Sequence, residues 1–156
     1  MRIWILRHGQ AEPSATTDAE RSLTDTGRDE VARMASLLRE QPLDAVLASP
    51  YRRAQQTAEI VCAHIGFARG IATVPWLTPD DEPSQCLGFL AERTEGNLLL
   101  VSHQPLVSQL VSLLVEGHRR GHYPMPTAGL VCLDTDFIAA GLSHLRCMSN
   151  PAEVGR

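Results

Sequence analysis

The segment IWILRHGQAE, residues 3–12, decides how the chain is read. Ile3 to Leu6 are β-branched, aromatic and aliphatic, the composition of a short buried strand. Arg7 and His8 follow at once, then Gly9. A fixed cation and an imidazole that titrates near neutrality are costly to place at the end of a buried strand unless something there uses them. The carboxyl end of this first strand is therefore the first place to look for chemistry.

Working outward, residues 8–23 are small and polar and read as a loop. Thr24 is a good N-cap, and Val31, Met34, Ala35 and Leu38 keep the i, i+3, i+4, i+7 spacing of an amphipathic helix. A second strand is expected at about Ala45–Ala48, closed by Pro50, then a helix over YRRAQQTAEIVCAHI with Gly66 as its C-cap. IATVPWL (71–77) reads as a third strand, TPDDEPS as an acidic loop, and SQCLGFLAERTEG as a helix ending near Gly96. NLLLVSH (97–103) is apolar on successive residues, so this strand is expected to be buried on both faces. A helix over QPLVSQLVSLLVEG and two late strands, AGLVCLDT and LSHLRCMS, complete the pattern. Alternating strands and helices predict an α/β fold: a three-layer α/β/α sandwich on a mostly parallel central sheet. Residues 1–150 are expected to form a single domain, with a loose C-terminal tail over 151–156.

Bulk properties narrow the classes. The 156 residues carry a net charge of −4, which gives no general attraction to nucleic acid or to acidic membranes. All 14 basic residues are arginine, so a lysine nucleophile is excluded. Cys62, Cys86, Cys132 and Cys147 form no CxxC pair and are expected to be reduced. His64, His118, His122 and His144 show no metal-ligand spacing on one helix face. No apolar run nears the ~18 residues of a membrane helix, and the N-terminus lacks a signal-peptide core, so a cytoplasmic monomer is the expectation.

In open α/β sheets, functional groups gather at the carboxyl ends of strands. Three expected strands end in polar groups: Arg7-His8-Gly9, Ser49-Pro50 with Arg52 and Arg53 in the next helical turn, and Ser102-His103. Together they would gather two histidines and several arginines at one sheet edge. A bound dianion would offset that charge. Phosphate fits best, because guanidinium donates parallel hydrogen bonds and helix N-termini add N–H donors. A neutral imidazole beside it can attack phosphorus, with the arginines stabilising the transition state and no metal or cofactor required.

LRHGQAE, SLTDTGRDEV, SPYRRAQQTAEIV and VSHQPLV, in that order, resemble the histidine phosphatase superfamily, which has the phosphoglycerate-mutase-like fold. The small size, LTP (77–79) and SHQPLV look most like the bacterial SixA-type protein phosphohistidine phosphatases. The resemblance implies His8 as the phosphorylated nucleophile and Arg7 and Arg53 as phosphate-binding arginines. It further implies His103 as the second histidine, which hydrogen-bonds the phosphoryl oxygens. Arg52 falls on a variable position and reads as a solvated arginine. Ser49 reads as a backbone cap. Many members of the family use an acid to protonate the leaving group. Glu82 and Asp81 (with neighbouring Asp80) are the candidates by chain order, and Arg21 is a candidate substrate contact.

The connector after the third strand is short, which implies an open pocket able to accept a phosphohistidine on a phosphotransfer protein. A small phosphate ester is the alternative substrate. A non-catalytic phosphate-binding module is a further reading, disfavoured by the intact nucleophile and clamp. A mutase is less expected than a phosphatase, since no segment is long enough to exclude water.

Overall fold

Successive residues of the central strands face opposite sides of the sheet, and the packing follows that period. In β1 (Arg2–Arg7), Ile3 and Ile5 join one apolar cluster, while Trp4 and Leu6 join another. In β4 (Asn97–Ser102), Leu98 and Leu100 go one way and Leu99 and Val101 the other. Both strands are thus covered on both faces, as the unbroken apolar run in β4 predicts.

The computed structural model describes residues 1–155. Its six-stranded sheet has the order β3-β2-β4-β1-β5-β6. β3 (Ile71–Thr73), β2 (Ala45–Ala48), β4 and β1 are mutually parallel. β5 (Leu130–Asp134) and β6 (His144–Ser149) add an antiparallel edge. Helices α1 (Asp25–Ala35) and α2 (Arg52–Ile65) cover one face, contributing Val31, Met34, Ala54, Ala58 and Val61 to the first cluster. Helices α3 (Pro83–Ala91) and α4 (Leu106–Glu116) cover the other, contributing Cys86, Leu90, Leu106, Leu110 and Leu114. The three-layer sandwich on a mostly parallel sheet is the expected architecture.

Local chemistry sets the boundaries. The Thr24 hydroxyl accepts from the Gly27 N–H at 2.9 Å and caps α1. Gly66 ends α2 at φ 73°, the left-handed conformation that glycine adopts without strain. Three expectations need correction. The third strand stops at Thr73, because Pro75 has no N–H for a ladder and instead opens a 3-10 turn over Pro75–Leu77. The third helix ends at Ala91 rather than near Gly96, and an Arg93–Glu95 ion pair occupies the connector. The segment 8–23 is not featureless: it carries a 3-10 turn at Asp18–Glu20 and is pinned by an Ala11–Leu23 bridge.

The described part of the tail, residues 151–155, is held rather than loose. Pro151 is buried, and Arg33 Nη1 donates to the carbonyls of Pro151 at 3.0 Å and Val154 at 3.4 Å. Arg156, the last residue of the tail, lies outside the described residues. Among the described residues, no helix is long and apolar enough to cross a membrane.

Candidate functional site

β2, β4 and β1 are neighbours in the sheet, so their carboxyl ends lie side by side. Arg7 pairs with Ser102 at the last rung of the β1–β4 ladder. Just beyond it, the His8 N–H donates to the Ser102 carbonyl at 3.0 Å, and the His8 carbonyl accepts from the Ala128 N–H at 2.9 Å. The Ser49 N–H donates to the Val101 carbonyl at 3.1 Å, which aligns the end of β2 with the same edge. Backbone bonding thus holds His8 from both sides before any side-chain contact is considered.

Gly9 fits because there is no room for more. A β-carbon there would lie 2.7 Å from Val31 Cγ2 and 2.8 Å from the Gly27 carbonyl oxygen. The reciprocal contact is tighter, since a β-carbon on Gly27 would lie 2.1 Å from the Gln10 carbonyl oxygen. The glycines of RHG and of LTDTG therefore let the chain after His8 press onto the first turn of α1. Thr57, fully buried on α2, accepts from the Gly9 N–H at 3.1 Å and donates to the Arg53 carbonyl at 2.8 Å. Gln56 Oε1 accepts from the Leu23 N–H at 2.7 Å. These contacts explain why the sequence blocks around residues 6–12, 22–31 and 49–61 occur together.

The His8 ring has a defined tautomer. Nδ1 sits 2.7 Å from the Gly9 carbonyl oxygen, which can only accept, so Nδ1 carries the proton. Nε2 keeps its lone pair, and the Arg53 Nε–H approaches it at 3.3 Å. Burial pushes the imidazole down to about 4, opposed by the Gly9 carbonyl and reinforced by repulsion from Arg53 and Arg7. At neutral pH, His8 is an uncharged imidazole with its free nitrogen facing a cation.

His103, at the end of β4, places its ring centroid 5.0 Å from that of His8. Its Nε2 is 2.8 Å from Ser49 Oγ, and the edge of Tyr51 packs on the ring. Burial, then repulsion from His8 and Arg53, drives it down to about 2. Ser49 also accepts from the Tyr51 N–H at 3.2 Å, the expected capping role, so it serves both the turn and the histidine. Arg7 Nη1 donates to the Met125 carbonyl at 3.0 Å, and burial, with repulsion from Arg53, lowers its pKa. Arg7 Nε and His103 Nδ1 are buried without a hydrogen-bond partner. Buried polar atoms are rarely left so, and here both belong to residues that the family resemblance implies for phosphate binding.

Arg53 is 4% exposed, and its guanidinium lies over the Tyr51 ring at 5.1 Å. It also meets a residue that the sequence reading did not single out. Its Nη1 donates to the Asp18 carbonyl at 2.7 Å and its Nη2 to Asp18 Oδ2 at 3.1 Å. Hydrogen bonding by Arg21, ahead of that by Arg53, holds the Asp18 carboxyl below the usual carboxylate range. Asp18 lay hidden in a run of small polar residues with no periodicity. The one signal that could have drawn attention to it is its place as the first acid after His8 with an arginine three residues on.

Other assignments change place. Arg21, a candidate substrate contact, donates from Nε to the Glu12 carbonyl at 2.7 Å and from Nη1 to Asp18 Oδ1 at 2.8 Å. Arg52 is exposed, as expected, and its Nη1 also donates to the Glu20 carbonyl at 3.0 Å. The candidate acids are engaged elsewhere. Asp81 Oδ2 accepts from the Thr78 N–H at 2.7 Å and from its hydroxyl at 2.5 Å, closing a turn. Glu82 pairs with Arg119, with Oε2 accepting at 2.6 Å. Among the described residues, neither acid makes a hydrogen bond to the His8 group. Within the same limit, no three His, Cys, Asp or Glu side chains gather as a metal-ligating set.

A sheet edge presenting Arg7, His8, Arg53 and His103 in this order along the chain defines a class. Residues 3–77 match the family model of the histidine phosphatase superfamily (branch 1), and the chain belongs to that superfamily. Among its relatives, the chain is 35% identical over 139 residues to the phosphohistidine phosphatase SixA of Escherichia coli strain K12, covering 86% of each protein. It is also 37% identical to the adenosylcobalamin/alpha-ribazole phosphatase of Salmonella typhi, covering 97% of this chain and 98% of that one. Among solved structures, the protein histidine phosphatase SixA complexed with tungstate superposes with a TM-score of 0.86 at 30% identity, covering 97% of this chain and 98% of that one.

Proposed function

We propose that this chain is a phosphatase that works through a phosphohistidine on His8, and that its substrate is a phosphohistidine carried by a phosphotransfer protein. The observation that carries the mechanism is the state of His8. Its proton is fixed on Nδ1 by the Gly9 carbonyl, and it stays neutral because burial holds its pKa at about 4. Nε2 attacks phosphorus, the bond from phosphorus to the substrate's imidazole nitrogen breaks, and the leaving imidazole takes a proton from solvent. Water then attacks the phosphoryl group on His8, releasing inorganic phosphate and restoring the imidazole. Arg7, Arg53 and His103 donate to the phosphoryl oxygens and stabilise their charge in both transfers.

The substrate class is supported by what stands near His8. The carboxylate next to the site, Asp18, is bound by two arginines and held ionised, so it is a poor proton donor. Asp81 and Glu82 are engaged elsewhere. General acid help is typically worth ~10²–10⁴-fold, and its absence slows loss of an alkoxide more than loss of an imidazole. β3 is joined to α3 by residues 74–82 alone, too short a connector for a covering subdomain. The likeness to SixA points the same way. The second reading, a small-molecule phosphomonoesterase, is favoured by the likeness to the adenosylcobalamin/alpha-ribazole phosphatase.

The test incubates wild type and His8→Ala with a phosphorylated histidine-containing phosphotransfer domain, and separately with a panel of small phosphate esters. Clearance of the protein phosphate by wild type but not by His8→Ala is the expected result. Turnover confined to small esters would transfer the assignment to the second reading.

A further inference from the structure

Arg53 reaches the site from the first turn of α2, and its guanidinium is a planar fork with five N–H donors. Asp18 occupies the end of that fork. Its main-chain carbonyl takes Nη1 at 2.7 Å and its carboxylate takes Nη2 at 3.1 Å. The side edge, made of the Nε–H and the second Nη2–H, is left to the site, and its Nε–H lies 3.3 Å from His8 Nε2. That distance is longer than a strong hydrogen bond, so the donor is readily passed to an incoming oxygen.

Asp18 is itself braced. Arg21 Nη1 holds Oδ1 at 2.8 Å while Arg21 Nε is anchored on the Glu12 carbonyl at 2.7 Å. Arg52 ties down the same turn through the Glu20 carbonyl at 3.0 Å. The charge of Arg21 offsets that of Asp18, so the pair adds little repulsion toward a dianion.

We propose that Asp18, braced by Arg21, is a positioning residue: it fixes the end edge of the Arg53 guanidinium and so presents the side edge to a phosphoryl group over His8 Nε2. The proposal rests on the reading of His8 as the nucleophile. It assigns the Asp18–Glu20 turn to the working site, although among the described residues Asp18 makes no hydrogen bond to either histidine. It also gives Arg21 a role one step removed from substrate.

The test compares wild type, Asp18→Ala, Asp18→Asn, Arg53→Lys and the Asp18→Ala/Arg53→Lys double variant. The readouts are turnover of a phosphorylated phosphotransfer domain and of para-nitrophenyl phosphate, inhibition by inorganic phosphate, and thermal unfolding. Asp18 is a half-exposed side chain, so folding is expected to survive its truncation. Asp18→Ala should lower kcat by about tenfold, the scale of one charge-assisted hydrogen bond, with phosphate inhibition changed by less than about threefold. Asp18→Asn should recover part of the loss, because its amide oxygen still accepts from Nη2. In the Arg53→Lys background, Asp18→Ala should cost less than about twofold, because lysine has no fork to hold.

A readout independent of turnover is the Arg53 Nη–H resonance, from the donors that Asp18 holds, expected to be protected from exchange in wild type and lost in Asp18→Ala. An unchanged kcat with the resonance still protected overturns the proposal. So does a raised kcat with tighter phosphate binding, which would make Asp18 a competitor of substrate. An equal loss from Asp18→Ala in both Arg53 backgrounds overturns it too, because the effect would then not pass through Arg53. A wild type inert toward both substrates overturns the nucleophile reading instead, and the resonance then judges the Asp18 contact alone.

Discussion

Exchanging His8 for asparagine should flatten the acid side of the stability profile. In the folded chain, burial holds the His8 imidazole at about 4, against an ordinary value of 6.5. A group with a depressed folded pKa stays neutral in the fold while the unfolded chain takes up its proton. Stability is therefore fully present above the unfolded value and declines as pH falls toward the folded one. One unit of separation corresponds to about 1.4 kcal/mol, so between pH 7 and pH 4.5 His8 alone should remove about 2 kcal/mol. At 7% exposure the ring is little screened by solvent. His103, held at about 2, is present in both proteins, and its acid contribution largely cancels in the comparison. Urea unfolding of wild type and His8→Asn at the two pH values gives the four free energies. Wild type should lose about 2 kcal/mol more than the variant. Equal losses would refute the claim that His8 is buried neutral, and with it the basis for calling Nε2 a nucleophile at neutral pH.

Three further outcomes are expected. Gly27→Ala forces a β-carbon into the Gln10 carbonyl; it should destabilise the fold by about 1–3 kcal/mol and cut turnover with it, since the loop carrying His8 must shift. Glu82→Gln should change turnover by less than about twofold, because its partner is an exposed arginine and such pairs contribute little. The pH–rate profile for kcat/KM should keep its nucleophile down to about pH 4, where His8 protonates, so that limb lies below the range of an ordinary histidine. Urea unfolding of Gly27→Ala beside wild type, and steady-state kinetics across pH with the three proteins, test these outcomes.

Much of this layout is legible in the chain because a few residues carry unambiguous signals. Ile3–Leu6 and Leu98–Val101 are apolar on successive positions, and both become doubly covered central strands. Arg7-His8, Arg53 and His103 each stand at or just after the end of an expected strand, and the parallel order β2-β4-β1 brings those ends to one edge. What could not be read depends on chain reversal rather than on local pattern. Asp18 reaches Arg53 only because the 8–23 segment folds back, pinned at Ala11–Leu23 and at Gln56. Pro75 shortens β3 by removing a donor, a cue that was present but outweighed by the β-branched residues before it. Asp81 and Glu82 looked available by chain order alone. The turn at Thr78 and the guanidinium of Arg119 claim them, and neither partner is adjacent in sequence to the acid it holds in a way that periodicity reveals.

The most direct measurement is rapid mixing of the chain with a phosphorylated phosphotransfer domain, an alkaline quench that preserves phosphohistidine, and intact and peptide mass analysis. The account predicts a transient gain of one phosphoryl mass on the peptide bearing His8, absent from His8→Ala. Phosphate release at the wild-type rate from His8→Ala, or a phosphoryl group mapped to any other residue, would contradict it.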